Sequence, residues 1–503
     1  MAVYGTIALE AQFSGTTWGT CTDYRVSSGI RLSRGIQGNA PTDRVASTGE
    51  MSFTLDNSAR NSGTLLGYYS PDNANSRGDF NVGINSRLKV TYDGTAYYKF
   101  FGKIASVTPS FGAYRDRGVD VVAVDYMDEL ATHNLRLIPP QTNKRGDELL
   151  HTVMDSMTTA PQAHTFSADS DTYLHGLHTE KDERTTGLTA CQKIAQSGLD
   201  DIYVIGNSTT GETLKYRSRH TRIKQTTVEA TFSNDMTGMN VNRAKDQIYT
   251  HIKVTTHPLE KDTSPVILYS STKEIPVSPG QIYKFTARYT DPLSDGRRVS
   301  GEDMVVPVYL TDFETNPGYA NGPGTALVTS IGTPGANSCE VTLTNTETFG
   351  VVYTKFNIRG YGLYEYAPYE VTWDGSAANL ALYGDKMLNY DMPYQDNQHH
   401  GEDFKNHFSA DNATLKTSVE SVEFIANISD AWMKAALALD VGSRISVTET
   451  VTGISGEYFV NGYGLNIEPG GIIRCILSPL VPAETTTYFQ IGGTIGTTSV
   501  IGY

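Results

Sequence analysis

Two segments near opposite ends of the chain repeat one pattern. The first runs Val82-Gly83-Ile84-Asn85-Ser86-Arg87-Leu88-Lys89-Val90-Thr91 and the second Asp440-Val441-Gly442-Ser443-Arg444-Ile445-Ser446-Val447-Thr448. Each sets Val-Gly before Ser-Arg, then an apolar-polar-Val-Thr run. An aromatic run ending in glycine follows both, Tyr97–Gly102 and Glu457–Gly462. A further apolar run closes both, Gly118–Val124 and Gly471–Ile476. Alternate side chains of a strand point to opposite faces, so such runs fold as half-buried strands. Self-similarity at two places predicts two copies of one β-barrel, with Arg87 and Arg444 on equivalent strands and Leu88 and Ile445 beside them in the core. The competing explanation is an accidental likeness between hairpins, because short β patterns are weakly specific.

The rest of the chain divides around these copies. With 503 residues it exceeds a single core. Residues 1–135 read as the first barrel: Met51-Ser52-Phe53-Thr54-Leu55 alternates, which puts Phe53 and Leu55 inside, and Asp93-Gly94 between two apolar runs is a hairpin signal. After Pro139-Pro140 the period changes. Leu149, Leu150, Val153, Met154 and Met157 share a helical face. A second helix is expected at about 185–197, then a hairpin around Gly211. Residues 136–225 are therefore a small α/β domain and 226–259 return strands toward the second barrel. Residues 260–372, rich in Thr, Tyr, Gly and Pro, read as an inserted β-sandwich. A short helix is expected at 403–410 within 373–503, the second barrel and C-terminal tail. The expected fold class is mainly β, with a β+α/β character.

Composition excludes several functions. A net charge of −15 argues against general nucleic-acid binding, since phosphate repels such a surface. No apolar run approaches the roughly 18 residues that cross a bilayer, so stable membrane insertion is not expected. No signal peptide is visible at Met1–Thr6. Cys21, Cys191, Cys339 and Cys475 show no metal-like spacing and read as free thiols of a reducing cytoplasm. Gly-x-Ser-x-Gly, His-Glu-x-x-His and Walker patterns are missing, so neither an enzyme nor a cofactor is expected. His164, His175 and His178 with Asp169 and Asp171 are a loose metal-like set that reads as a solvated loop. His399-His400 point apart, and two Arg-Gly-Asp triplets, Arg77–Asp79 and Arg145–Asp147, read as turns.

The order of features in the first 104 residues resembles the hub and tail-tip proteins of tailed bacteriophages. Trp18 comes first, then Tyr24-Arg25-Val26 and Arg34-Gly35-Ile36. The strand Met51–Leu55 leads into Asp56-Asn57, and Ser70-Pro71 and Phe101-Gly102-Lys103-Ile104 follow. The helix from Thr186 to Ser197, the hairpin ending in Arg217 and Arg219, and the return through Lys355–Gly360 are similar to the same family. Two departures stand out: Gly198-Leu199-Asp200-Asp201 where such a helix meets Glu-Gly-Gly, and a long Tyr-rich insert. The resemblance implies a homotrimeric ring of six tube-like barrels at the virion tail tip, made in the host bacterial cytoplasm. It implies a distal tail protein or tail tube as partner on one side and a fibre, spike or adhesin on the other. A tape measure protein would abut the channel, and DNA would only pass through.

Within that expectation Trp18, Phe53, Leu55, Arg87, Leu88, Arg444 and Ile445 are packing and assembly candidates. Lys215, Arg217 and Arg219, at spacing two, are candidates for a strip that docks an acidic partner, or else a solvated edge strand. A rival function assigns glycan or receptor binding to the insert, with Tyr289, Tyr319, Tyr361, Tyr364, Tyr366, Tyr369 and Trp373 stacking on sugars.

Overall fold

The computed structural model describes residues 2–111, 117–169, 171–179, 184–290, 298–483, 487–488 and 499–500. The fold is mainly β. In the first module Asn85–Tyr92 and Thr95–Pro109 form the expected hairpin, and Asp93 and Gly94 both take positive φ (49° and 73°), as a tight two-residue turn requires. Thr95–Pro109 is long enough to pair Asn85–Tyr92 along its first half and Gly118–Val124 along its second. Ser47–Asp56 and Ile30–Gly35 extend the sheet on one side, Thr6–Ser14 and Thr17–Thr20 on the other. Met51, Phe53 and Leu55 are buried while Ser52 and Thr54 are half-buried on the opposite face.

The second module repeats the strand order. Gly238–Asn242, Ser418–Ile425 and Ile472–Leu477 take the places of Ile30–Gly35, Ser47–Asp56 and Gly118–Val124. Ile454–Val460 and Gly462–Glu468 together replace Thr95–Pro109, with Arg444–Glu449 in the place of Asn85–Tyr92. Arg87 and Arg444 thus lie on corresponding strands, opposite Phe101 and Phe459. One flanking strand differs: Ala230–Ser233 runs parallel to Arg444–Glu449, whereas Thr6–Ser14 is antiparallel to Asn85–Tyr92.

The two modules join edge to edge. Ile30–Gly35 pairs antiparallel with Gly462–Glu468, Leu32 opposite Leu465, so one 11-stranded sheet runs through both. At one end of this seam Gly35 (φ 125°) and Gly462 face each other so tightly that a Cβ on either would collide with a carbonyl oxygen, of Asn461 or Ser478 respectively. Glycine is required there because backbones meet where side chains would stand.

The α/β unit packs on the first module and shares its core. Helix Gly146–Asp155 buries Leu149, Leu150 and Val153, and helix Gly187–Gly198 buries Ala190, Cys191, Ile194 and Ala195. Thr186 caps the second helix by accepting from Thr189 N at 3.2 Å, and Leu199 ends it in the left-handed region. Asp201–Ile205 and Thr213–Arg217 form the expected hairpin. The insert has a core of its own, with Val341, Leu343, Tyr353, Phe356 and Ile358 among its members. Val351–Glu365 organises a six-stranded sheet there, opposed by Ile282–Arg288, Ser338–Asn345 and Leu327–Ile331.

Three expectations need correction. The insert returns to the scaffold at Glu365, which pairs with Leu259, not at 372. Tyr369–Asp374 already belongs to a scaffold sheet with His251–Thr256 and Met387–Met392, because Val371 and Trp373 pack on the core under helix Gln398–Asp411. That helix starts earlier than the expected 403, where Asn397 accepts from His399 N at 3.0 Å. The barrel readings of 373–503 and 1–135 leave out two helices, Asp430–Ala438, which Ser429 caps, and Tyr126–Thr132, which Asp125 caps.

Candidate functional site

The most concentrated chemistry lies where the two modules and the α/β unit meet. Strand Ile30–Gly35 sends the Arg34 guanidinium to Asp440, with Nε and Nη2 at 3.0 and 2.5 Å from its oxygens. Lys99 Nζ reaches the same carboxylate at 3.3 Å and donates to the carbonyls of Leu437 and Leu439 at 3.1 and 3.0 Å. Gly206 N, from the α/β hairpin, donates to it at 3.2 Å. Arg34 and Lys99 both lie over the Tyr463 ring, and the Tyr463 hydroxyl donates to Ala436 O at 2.8 Å. All four side chains are buried. Desolvation pushes the Asp440 carboxyl up, but the attraction of Arg34 and Lys99 outweighs it and leaves the group below the usual range. Burial also lowers the Lys99 ammonium, against the pull of Asp440. The carboxylate collects its donors from three parts of the chain.

A second joint surrounds Asp201. Arg217, Arg222 and Arg44 approach its carboxylate at 2.7, 3.3 and 3.3 Å. Burial raises this carboxyl, but three guanidinium groups reverse the effect and hold it far below the usual range. Arg217 also donates to Gly442 O at 2.9 Å and lies over Phe459, reaching the second module. Arg444 completes the contact: it donates to Gln225 O at 2.5 Å and to Glu457 at 2.6 Å.

These contacts overturn the docking-strip reading. Arg217 is buried in the joint. Arg219 is not on the strand at all; it opens helix Arg219–Lys224, pairs with Asp171 at 3.0 Å and lies over Phe404. Lys215 is half-buried, and desolvation lowers its ammonium. Arg217 and Arg219, predicted to face a partner, instead bind the chain's own parts together. Spacing alone cannot separate the two outcomes, but the acidic pair Asp200-Asp201 was a signal that such arginines have internal partners.

The packing candidates divide into two groups. Phe53, Leu55, Leu88 and Ile445 are core residues. Trp18 and Arg87 are half-buried: the Arg87 guanidinium is 4.1 Å from the Trp18 ring and 4.7 Å from Tyr98, and it pairs with Glu10 at 2.6 Å. They line a cavity of about 260 Å³ that adjoins another of about 300 Å³ through Asn85, Phe101 and Gln162. The second holds two buried carboxyls, Asp125 and Glu212. Burial pushes each up to about 7 although backbone N–H groups of Gly49 and Met127, or of Gln162 and Tyr126, donate to them.

The histidine set does not converge. His175 and His178 stack with nitrogens 2.9 Å apart, while His164 lies against His151 and Phe166. Among the described residues no group of three His, Cys, Asp or Glu side chains is placed to hold a metal ion. Arg77 pairs with Asp79 and Arg145 with Asp147, each at 3.0 Å, so both Arg-Gly-Asp triplets fold into internal pairs. The four cysteines are free and buried. Four of the tyrosines expected to stack on sugars have their hydroxyls engaged within the chain: those of Tyr319, Tyr364 and Tyr369 donate to Glu347, Asp262 and Glu402, and Tyr366 bonds Glu260. No helix among the described residues is long and apolar enough to cross a membrane.

No family model and no curated protein matches this sequence. Solved structures do. A tail protein from Neisseria meningitidis MC58 is 9% identical, with 95% of this chain and 97% of that one covered at a TM-score of 0.49. The 43 kDa tail protein of prophage MuSo2 from Shewanella oneidensis is 9% identical, with 95% and 98% covered and a TM-score of 0.47. Prophage tail protein gp18 from Listeria monocytogenes EGD-e is 9% identical, with 94% of each chain covered and a TM-score of 0.41.

Proposed function

We propose that this chain is a non-enzymatic structural hub at the distal tip of a phage tail. Three copies form a ring around the DNA channel and link the tail tube or distal tail protein to a host-recognition fibre or spike. The observation that carries this reading is the seam between modules. Within one chain, the outer strand of the first module, Ile30–Gly35, pairs with the strand Gly462–Glu468 of the second. Among the described residues the counterparts of these two strands are each paired on one side only. Gly238–Asn242 ends the sheet, and Ser106–Pro109, in the second half of Thr95–Pro109, is paired only on its Gly118–Val124 side among the described residues. Repeating the same seam between copies pairs Gly238–Asn242 of one with 106–109 of the next. Each chain then joins two neighbours through opposite edges, and a head-to-tail contact of this kind closes into a ring when its rotation is a whole fraction of a turn, one third for the proposed three copies.

The order of residues from Trp18 to Ile104, with its likeness to tail-tip hubs, supports the same reading. A channel that lets DNA slide needs a neutral or acidic wall, and 55 acidic against 40 basic residues supply the surplus.

Native mass spectrometry of the purified chain, with and without tail partners, tests the stoichiometry. Three copies are expected; a monomer within the particle or a ring of six chains overturns the proposal. Cysteines placed at Asn240 and Thr108 are expected to crosslink between chains into a closed trimer, and crosslinks only within one chain contradict the shared seam.

A further inference from the structure

The scaffold sheet from which the insert leaves carries an arrangement that the hub reading does not use. His257 follows strand His251–Thr256 directly, at the point where the chain crosses into the insert. Its Nε2 is 2.7 Å from Asp391 Oδ1, on the scaffold strand Met387–Met392. Its Nδ1 is 3.2 Å from Glu365 Oε1, the last residue of the returning strand Val351–Glu365. One imidazole thus touches the outgoing chain, the returning chain and the scaffold. His251, at the other end of the same strand, repeats the contact: Nδ1 is 2.8 Å from Asp374 and Nε2 is 3.2 Å from Asp385.

The chemistry of the ring decides what such contacts require. A neutral imidazole has one N–H and one lone pair, so it donates to one carboxylate and turns a lone pair toward the other. Only the imidazolium donates to both. We propose that protonated His257 is a latch that fixes the insert to the scaffold, and that losing its proton releases one of the two carboxylates and loosens the crossing.

Other groups around the ring leave this balance in place. On the same sheet face Lys253 is occupied by Glu370 at 2.9 Å. Beyond the crossing, Lys261 is held by Glu302 and Asp303, and Glu260 by Tyr366. Helix Gln398–Asp411 covers the opposite face with Phe404 and Phe408, and its Glu402 accepts from Tyr369. The hydrogen bond that the ring donates to Asp391, with the negative charges of Asp391 and Glu365, outweighs desolvation and raises His257 above the ordinary histidine value. For a raised pKa the stabilisation is complete below the unfolded value, about 6.5, and fades as pH rises through the folded one. The latch is therefore closed in mild acid and opens toward alkaline pH. The insert's core is separate from the scaffold's, so the crossing can loosen without unfolding either part.

Hydrogen exchange of the full chain, read as protection factors corrected for intrinsic rate, tests this between pH 6 and 8.5. Peptides covering 251–259, 363–374 and 387–392 are expected to lose protection about tenfold over that range, while the Ile30–Gly35 seam stays constant. His257→Gln keeps one hydrogen bond and no titration. It is expected to show low protection at these peptides at both pH values, with unchanged circular dichroism. Should the variant not fold, the wild-type comparison of latch against seam stands alone. Because His251 makes the same kind of contact within these peptides, the comparison is made in a His251→Gln background: equal protection at pH 6 and 8.5 there, or a pH response that survives the added His257→Gln, overturns the latch.

Discussion

Replacing Asp440 by alanine tests whether the charged joint holds the modules together. In the wild type this carboxylate receives Arg34, Lys99, Gly206 N and, through its own Oδ1, Val441 N at 2.9 Å. Alanine leaves two cations buried, with Lys99 retaining only the Leu437 and Leu439 carbonyls. Asp125 and Glu212, whose carboxyls Arg34 also attracts, are held up near 7 and compensate only in part. Breaking a buried pair by removing one partner costs about 3–5 kcal/mol, which is two to four decades in an opening equilibrium. A 503-residue chain with separate cores does not unfold in one step, so a global midpoint dilutes the effect. Hydrogen exchange reads the local opening instead. Protection of Ile30–Gly35 and Gly462–Glu468 is expected to fall by two to three decades. The triple variant Arg34→Met, Lys99→Met, Asp440→Leu removes every charge together and is expected to recover most of the loss. Seam protection in Asp440→Ala within threefold of wild type would refute the reasoning, because the charges would then be contributing nothing to the seam.

Phe53→Asp places a carboxylate in the shared core and is expected to cost about 3–5 kcal/mol, seen as insoluble expression; soluble, wild-type-like protein would show that the site can open to water. Deleting 260–364 and joining Leu259 to Glu365, which are register partners, through a short Gly/Ser linker is expected to leave seam protection unchanged, and its collapse would make the insert part of the scaffold. Asp125→Asn keeps a capping side chain and removes a carboxyl that burial raises to about 7. A raised acid makes stability fall as pH climbs from about 4 to 7, so the variant should match wild type at pH 4 and exceed it at pH 8 by up to about 4 kcal/mol. Hydrogen-exchange protection of Ser47–Asp56 and Tyr126–Thr132, corrected for intrinsic rate at the two pH values, checks this, and equal protection at pH 8 contradicts it.

Most of the fold was legible because alternation and turn chemistry are local. Met51–Leu55, the Asp93-Gly94 hairpin and the helix after Thr186 each carry their signal within ten residues, and the repeat around Arg87 and Arg444 follows from the same periodicity. The seam was not legible. Whether Ile30–Gly35 closes its own barrel or pairs with Gly462–Glu468 depends on glycines that meet only in space. The arginines failed for a related reason. A basic residue at alternate strand positions looks the same whether water or a buried aspartate faces it, and burial of Arg217 is decided by Asp201 and by Gly442, more than 200 residues away. Helix Asp430–Ala438 was missed although Ser429 before an Ala-rich run is a usable cap signal.

The two arginines of the repeat show what duplication does to a surface. Arg87 and Arg444 hold corresponding strand positions and each pairs with a glutamate, Glu10 or Glu457. There is one α/β unit per chain, so its exit segment can seal only one of them. Arg444 is sealed by Gln225, whereas Arg87 keeps its Trp18 and Tyr98 faces beside an open cavity. In a ring of three such chains the strands repeat six times and the Arg87 cavity three times. A partner that contacts the strands meets near-sixfold symmetry, and a partner that contacts the Trp18–Arg87 face meets threefold. In the proposed hub, one chain would in this way join a sixfold tube to a threefold spike, because its backbone is duplicated and its covering unit is not.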